Sequence, residues 1–388
     1  MDGDLKPFQF RSPRIIFKRE AWKDLGKICS SEFGPNGVLV IGSSFKDSEI
    51  CQGLLADFEE RGSNVAEFLR KGGEPTVAEV DDLAGRLRDV DAAWVLGIGG
   101  GSTLDLAKSA AGLARNEYSA AIYQEGLEVP LEGIPFVAVP TTAGTGSEVT
   151  NNAVLINEDK RAKLSIRGEK LIAKIAVLDP VLTLSAPPDV TAYSGLDALV
   201  QAIEAFVSKA CNPFSDLLAE KAIGVILQHL FIAWSDGSDL HAREGMLYGN
   251  LLSALAFSNA KLGAIHGFAH PIGAQFGAPH GLITGLLLPH VMRFNLGDGD
   301  LPDVTAKFAT IGRLLHVGSE SEIDLARAAI DGIVGLLDSM QIPRELSGIG
   351  IGEDDIPAIV ADTKGSSLDN NPRATTKEVL AEILSSAL

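Results

Sequence analysis

Cysteine is scarce in this chain: three in 388 residues, Cys29, Cys51 and Cys211. They lie far apart and form no CxxC pair. That excludes a disulfide framework and fits a reducing, cytoplasmic setting. Each reads as a small buried hydrophobe. Basic residues are in deficit as well. Lys and Arg total 33 against 51 Asp and Glu, a formal net charge of −18. Such a surface repels nucleic acid and anionic membranes, so neither is an expected partner. Long apolar runs are missing too. None approaches the ~20 residues that cross a bilayer, and the stretch 282–289 stops at Pro289. The opening Met-Asp-Gly-Asp-Leu-Lys-Pro lacks the apolar centre of a signal peptide, and no internal repeat or low-complexity tract appears. What remains is 46% hydrophobic and 22% charged. That is ordinary globular composition, in a chain long enough for two domains.

The first half alternates short apolar runs with amphipathic segments. Strands are expected at Arg14–Phe17, Val38–Ile41, Val65–Phe68, Ala93–Gly97, Phe136–Val139 and Ile175–Leu178. Helices are expected between most of them, for example at Lys46–Arg61, Val77–Arg88 and Thr103–Arg115. This alternation predicts a parallel sheet covered on both faces. Residues 153–166 read as a hairpin. After Asp179-Pro180 and Pro187-Pro188 the pattern becomes helical, with three-to-four spacing of apolar residues over 191–208, 213–233, 242–261, 303–315 and 321–339. The division expected is an α/β domain over 1–184 and an all-helical domain over 185–388.

Two turns carry candidate chemistry in the first half. Ala92-Ala93-Trp94-Val95-Leu96 runs into Gly97-Ile98-Gly99-Gly100-Gly101-Ser102, and a helix opens at Thr103. Bare glycine backbone at a helix N-terminus suits a phosphate. Ser102 is placed to cap that helix, Asp105 to favour its first turn, and Lys108 to lie on a solvated face. A Cβ at Gly101 is expected to crowd the phosphate. The spacing departs from GxGxxG because Ser102 replaces the third glycine, and no acidic strand end follows about 20 residues on. A phosphate cradle and a simple tight turn are both open on this segment alone. The second turn, Pro140-Thr141-Thr142-Ala143-Gly144-Thr145-Gly146-Ser147-Glu148, again follows a strand and adds hydroxyl donors. Two such loops at the ends of strands of one sheet favour the phosphate.

The second half carries a polar constellation. Asp197 and Gln201 are four apart and share a helix face, with Glu204 close to the same side. His266 and His270 are also four apart, and His280 follows in Ala-Pro-His-Gly. One Asp and three His converging would make a cation site. His229, His241, His290 and His316 read as structural.

These segments jointly resemble the iron-containing (group III) alcohol dehydrogenases. The resemblance spans nearly the whole chain and rests on Gly99–Lys108, Pro140–Thr150, Gly195-Leu196-Asp197-Ala198, His266-Gly267-Phe268-Ala269-His270-Pro271 and Pro279-His280-Gly281. It implies a Rossmann-like N-terminal domain, an all-α C-terminal domain, an active site in the cleft between them, and a homodimer or larger assembly. It also implies roles. Gly99, Gly100, Gly101 and Ser102 would hold the pyrophosphate of NAD or NADP. Thr141, Thr142 and Thr145 would line the nucleotide, with Ser147 nearby, Lys163 at the ribose and Leu182 in contact with the cofactor. Asp197, His266 and His280 would bind a divalent cation, Fe²⁺ or Zn²⁺, and His270 would relay a proton. The reaction implied is hydride transfer between the nicotinamide and a small alcohol or aldehyde.

Two positions depart from the family pattern. Gln201 stands where the family carries a second His ligand and counts with Asp197, His266 and His280 in the expected metal set, but an amide is a poorer partner for these metals than imidazole, so weaker or altered metal binding is expected. Ser43, after the strand Val38–Ile41, replaces an acid that would repel a 2′-phosphate, which points toward NADP(H). The alternatives are a metal-independent reductase resembling the maleylacetate reductases, a dehydroquinate-synthase-like lyase, or a non-catalytic nucleotide binder. The lyase would need several basic residues around its site, and Arg293 is the nearest one here.

Overall fold

A computed structural model describes residues 8–388. The chain divides into two compact units. The first is Arg11–Ser185. The second is Ala186–Leu388, joined by residues 8–10, where Phe8 stacks on Phe214 with ring centroids 5.5 Å apart.

The first unit holds the strands β1 (Arg14–Phe17), β2 (Asn36–Gly42), β3 (Asn64–Arg70), β4 (Trp94–Gly99), β5 (Phe136–Pro140), β6 (Asn152–Asn157), β7 (Ala162–Arg167) and β8 (Ile175–Leu178). Its helices are α1 (Leu25–Phe33), α2 (Ser43–Lys46), α3 (Glu49–Glu60), α4 (Val77–Asp89), α5 (Gly101–Leu113) and α6 (Ala120–Gln124). Six strands form one sheet in the order β1-β8-β5-β4-β2-β3, and every pair is parallel. The antiparallel pair β6-β7 is the expected hairpin.

The sheet is buried on both sides, so alternate residues of each strand feed two cores. Leu39, Ile41, Leu96, Ile98, Val137 and Val139 pack with Leu25, Leu54 and Phe58 on one face. Val38, Val40, Val95 and Ala138 pack with Leu83, Leu104, Ala107 and Ala111 on the other. Chain direction across the sheet reverses between β2 and β4: β3 lies outside β2, while β5 and β8 continue on the other side. The C-terminal ends of β2 and β4 therefore flank a topological switch point, where open parallel sheets bind ligands.

Among the described residues the second unit contains no strand and is built from α7 (Pro188–Val207), α8 (Pro213–Ser235), α9 (Leu240–Ala260), α10 (Ala264–Phe276), α11 (His280–Leu296), α12 (Pro302–Leu314), α13 (Glu322–Ser339), α14 (Ile356–Asp362), α15 (Ser366–Asn370) and α16 (Lys377–Ser385). Pro289 ends the apolar run 282–289 but not the helix: it lies inside α11, as Pro271 lies inside α10. Helix α8 has 23 residues and a mean hydropathy of 1.4 in its most apolar window, long and apolar enough by length and composition. It packs, however, against α7, α9 and α12 as a bundle helix, and carries Asp216, Glu220 and Lys221.

Cys29 and Cys51 are buried, as expected, and burial pushes the Cys29 thiol above its usual range. Cys211 is only half-buried, with the Lys307 ammonium 3.2 Å from its sulfur.

Candidate active site

In the first unit, the loops expected to hold a nucleotide meet at the switch point. β4 ends at Gly99, level with Pro140 of β5, and Thr141 N–H donates to the Gly99 carbonyl at 3.0 Å. Helix α5 then opens with Gly100 as its N-cap. Ser102 does not cap it: Ser102 is the second helical residue, and no side chain bonds the first turn. The free N–H groups there are left for a ligand. Ser43 is exposed at the start of α2, directly after β2, whose Ile41 is registered with Ile98 of β4. Ser43, Gly99, Gly100, Gly101, Ser102, Thr141, Thr142 and Thr145 thus lie on the ends of adjacent strands.

Glycine at position 101 also answers a constraint that the sequence did not show. A Cβ there would lie 2.5 Å from Thr145 Cγ2 and 2.7 Å from its Oγ1. The close approach is between the two loops, before any ligand enters.

Other residues of this unit occupy unexpected places. Lys108 is fully buried rather than solvated. It donates to Thr150 Oγ1 at 3.1 Å and to the Asn152 carbonyl at 2.7 Å, with Asp105 at 3.7 Å. Asp105 serves no helix-end role. It accepts from Ser147 Oγ at 2.5 Å and from Val154 N–H at 2.9 Å. Ser147 is therefore buried and engaged beneath the threonine loop. Glu148 joins this group, and burial raises its carboxyl to about 7. Burial likewise lowers the Lys108 ammonium, against the pull of Asp105 and Glu148. The cluster ties α5 to the chain leaving the threonine loop, and so holds the two turns in register. Lys163 forms an ion pair with Glu74 at 2.9 Å. Leu182 is buried in the core cluster with Ile98, Val139 and Val177.

In the second unit, α7, α10 and α11 bring Asp197, His266 and His280 together, their ligand atoms all within 4.8 Å of one another. Asp197 Oδ1 lies 3.3 Å from His266 Nε2 and 3.7 Å from His280 Nε2. His280 is the first residue of α11. The next residue, Gly281, lets that helix end reach α7, since a Cβ there would strike the Tyr193 carbonyl. His270, one turn after His266, is half-buried with its ring 5.7 Å from that of His280.

Gln201 does not face the cluster as a simple replacement for imidazole. Its Nε2 donates to Asp197 Oδ2 at 2.8 Å. The reverse orientation would set two acceptors against each other, so the carboxylate fixes the amide. Gln201 Oε1 and His266 Nε2 are both buried, and neither has an aligned hydrogen-bond partner among the described residues. Gln201 Oε1 is a buried acceptor left open, which is costly unless something binds it. A carboxylate and two imidazoles with open positions suit Fe²⁺ or Zn²⁺. The residues present therefore fit a divalent cation.

Glu204, whose nearness to this face was legible but not its role, touches His266 directly: Nδ1 is 2.6 Å from Oε2. Burial alone would lower the His266 imidazole; Glu204 and Asp197 outweigh it and raise it to about 10. A cation binding there displaces that proton. His229 and His241 pair with each other edge to face, and His290 lies by the Arg344 carbonyl and Ser386. Arg293, the basic residue a lyase would use, is exposed and 13 residues beyond His280 along α11, about 20 Å of helix.

A parallel sheet with glycine- and threonine-rich turns at its switch point, and a helical unit bearing an acid–imidazole cluster, agree with the architecture that the resemblance implied. The iron-containing alcohol dehydrogenase model matches residues 12–180, and the C-terminal model of the Fe-containing alcohol dehydrogenase family matches residues 191–388. The chain is 35% identical to 1,3-propanediol dehydrogenase of Citrobacter freundii, over 98% of each chain. It is 31% identical to the NAD-dependent methanol dehydrogenase of Bacillus methanolicus, over 98% of this chain and 99% of that one. Among solved structures, a 1,3-propanediol oxidoreductase superposes with a TM-score of 0.93 at 33% identity, covering 99% of this chain and 100% of that one. Sulfoacetaldehyde reductase from Bifidobacterium kashiwanohense, in complex with NAD⁺, superposes with a TM-score of 0.88 at 29% identity, covering 98% and 99%. The chain belongs to the iron-containing alcohol dehydrogenase family, and is an oxidoreductase of the alcohol dehydrogenase class.

Proposed function

We propose that this enzyme interconverts a small primary alcohol and its aldehyde, using a nicotinamide cofactor and a divalent cation. The observation that carries the reading is the convergence of Asp197, His266 and His280 with the unpartnered buried Gln201 Oε1 beside them. When bound, a cation would supply Lewis acidity to the substrate oxygen, and a nicotinamide would supply the hydride chemistry. Asp197, His266 and His280 hold the cation, with Asp197 as the anionic donor. Gln201 braces Asp197 through Oδ2, so that Oδ1 is the oxygen facing the imidazoles. His270 moves the alcohol proton. Gly99–Ser102 and the threonine loop bind the pyrophosphate. The lyase alternative finds no cluster of basic side chains around Asp197 to support it.

The test is turnover of purified protein with a panel of primary alcohols and aldehydes, with each cofactor, before and after metal loading. Chelator-sensitive oxidation restored by Fe²⁺ or Zn²⁺ is expected. Full activity in metal-stripped protein would favour the metal-independent reductases instead.

NADP(H) is the cofactor that Ser43 favours, because no acid stands at the end of β2 to repel a 2′-phosphate. Ser43→Asp is expected to lower the NADP-to-NAD ratio of kcat/KM by about tenfold, the effect of one added like charge near the phosphate. An unchanged ratio would remove this argument.

A further inference from the structure

We infer that Glu204 positions His266 for the cation. Its carboxylate takes the Nδ1 proton as a hydrogen bond, and so leaves the Nε2 lone pair facing Asp197 and His280. The inference rests on the metal reading above and adds a residue to it. Glu204 follows Asp197 by seven residues and Gln201 by three, so the three share one side of α7. It is 4% exposed in an apolar stretch, where a carboxylate must be paired.

Both of its oxygens are used. Oε2 meets His266 Nδ1 at 2.6 Å, and Oε1 accepts the Ile265 N–H at 2.7 Å. A carboxylate only accepts, so the proton of this contact belongs to Nδ1. Without that acceptor the neutral ring has two tautomers, one of which blocks Nε2. Ile265 is the second residue of α10, whose first-turn N–H groups have no helical partners. The N-cap is Gly263, with no side chain to offer. A Cβ on Gly263 would lie 2.9 Å from Glu204 Oε1 and 3.0 Å from Asn371 Oδ1. Bare backbone at that point is what admits both acceptors. Asn371 Oδ1 takes the neighbouring Ala264 N–H at 3.3 Å, and its other bonds go to Asn295 and Arg373. Asn371 therefore secures the helix without bonding the ring, whereas Glu204 secures the helix and orients the ring together.

That difference supplies the test. Full-length, metal-stripped wild type, Glu204→Gln, Asn371→Ala and Asp197→Ala are titrated with Co²⁺, with Kd read from its visible absorption. The zinc-loaded proteins are then examined for the His266 Nδ1–H proton resonance. Glu204→Gln is expected to weaken Co²⁺ binding by about 10- to 100-fold and to shift the downfield Nδ1–H signal of a carboxylate-bonded imidazole upfield. Asn371→Ala is expected to lower Tm while Kd stays within about threefold, since no metal ligand or its partner is touched. Unchanged affinity in Glu204→Gln would overturn the inference, as would an equal loss in Asn371→Ala, which would make helix anchoring the whole effect. Should Glu204→Gln fail to fold, Gly263→Ala displaces Oε1 without removing the carboxylate. It is expected to weaken Co²⁺ severalfold, and unchanged affinity there would count against the inference equally. Equal Co²⁺ binding by wild type and Asp197→Ala would instead defeat the metal reading itself.

Discussion

Asp197→Ala is expected to reduce metal-supported alcohol oxidation by about a thousandfold or more, the scale of several kcal/mol of charge stabilisation lost from the reacting oxygen. Asp197 is the one anionic donor in the set of three. Its Oδ1 faces both imidazoles, and its Oδ2 orients the Gln201 amide. Removing it would take away the charge proposed to hold a dication and free the Gln201 brace at the same stroke. Nicotinamide binding should persist, because the glycine and threonine loops belong to the other unit. Cofactor affinity within about twofold of wild type, with turnover lost, is the expected pair of results. Turnover within tenfold of wild type would mean that the cluster is not where the alcohol is activated.

Gly101→Ala is expected to weaken cofactor binding by about 10- to 100-fold. The added methyl would sit 2.5 Å from Thr145 Cγ2, and forcing two packed groups apart costs about 1–3 kcal/mol. The strain falls on the spacing of the two loops, which Thr141 N–H to Gly99 carbonyl otherwise fixes. Shortening the opposing side chain should therefore repair it. The double variant Gly101→Ala/Thr145→Gly is expected to recover most of the lost affinity, beyond the sum of the single effects. Isothermal titration with each cofactor measures this. No recovery in the double variant would show that the glycine matters for the ligand alone.

The sheet was legible because each strand is a short apolar run bounded by turn residues, and its burial on both faces leaves little room for another reading. Val38–Ile41 and Ile175–Leu178 sit where alternation placed them. The order of the strands was not legible, since sequence periodicity carries no record of which strands pair. The switch point that places Ser43 beside the glycine turn is a property of that order. Lys108 was misplaced for a related reason: its partners Thr150 and Asn152 are more than 40 residues away, and a lone lysine in a helix ordinarily reaches water. Asp197, His266 and His280 were legible as ligand residue types, and the family resemblance singled them out from the other histidines. Glu204 left a fainter signal, the third polar residue after Asp197 and Gln201 in an otherwise apolar run. Its partner, 62 positions on, could only be found in three dimensions.

X-ray absorption of the iron-loaded protein tests the central claim most directly, with Gln201→His beside it as an internal reference. If Asp197, His266 and His280 hold the ion, wild type shows two imidazoles among nitrogen and oxygen donors at roughly 2.1 Å, and Gln201→His shows three with tighter retention. A wild-type spectrum without imidazole scattering, or one that the substitution leaves unchanged, would contradict the account.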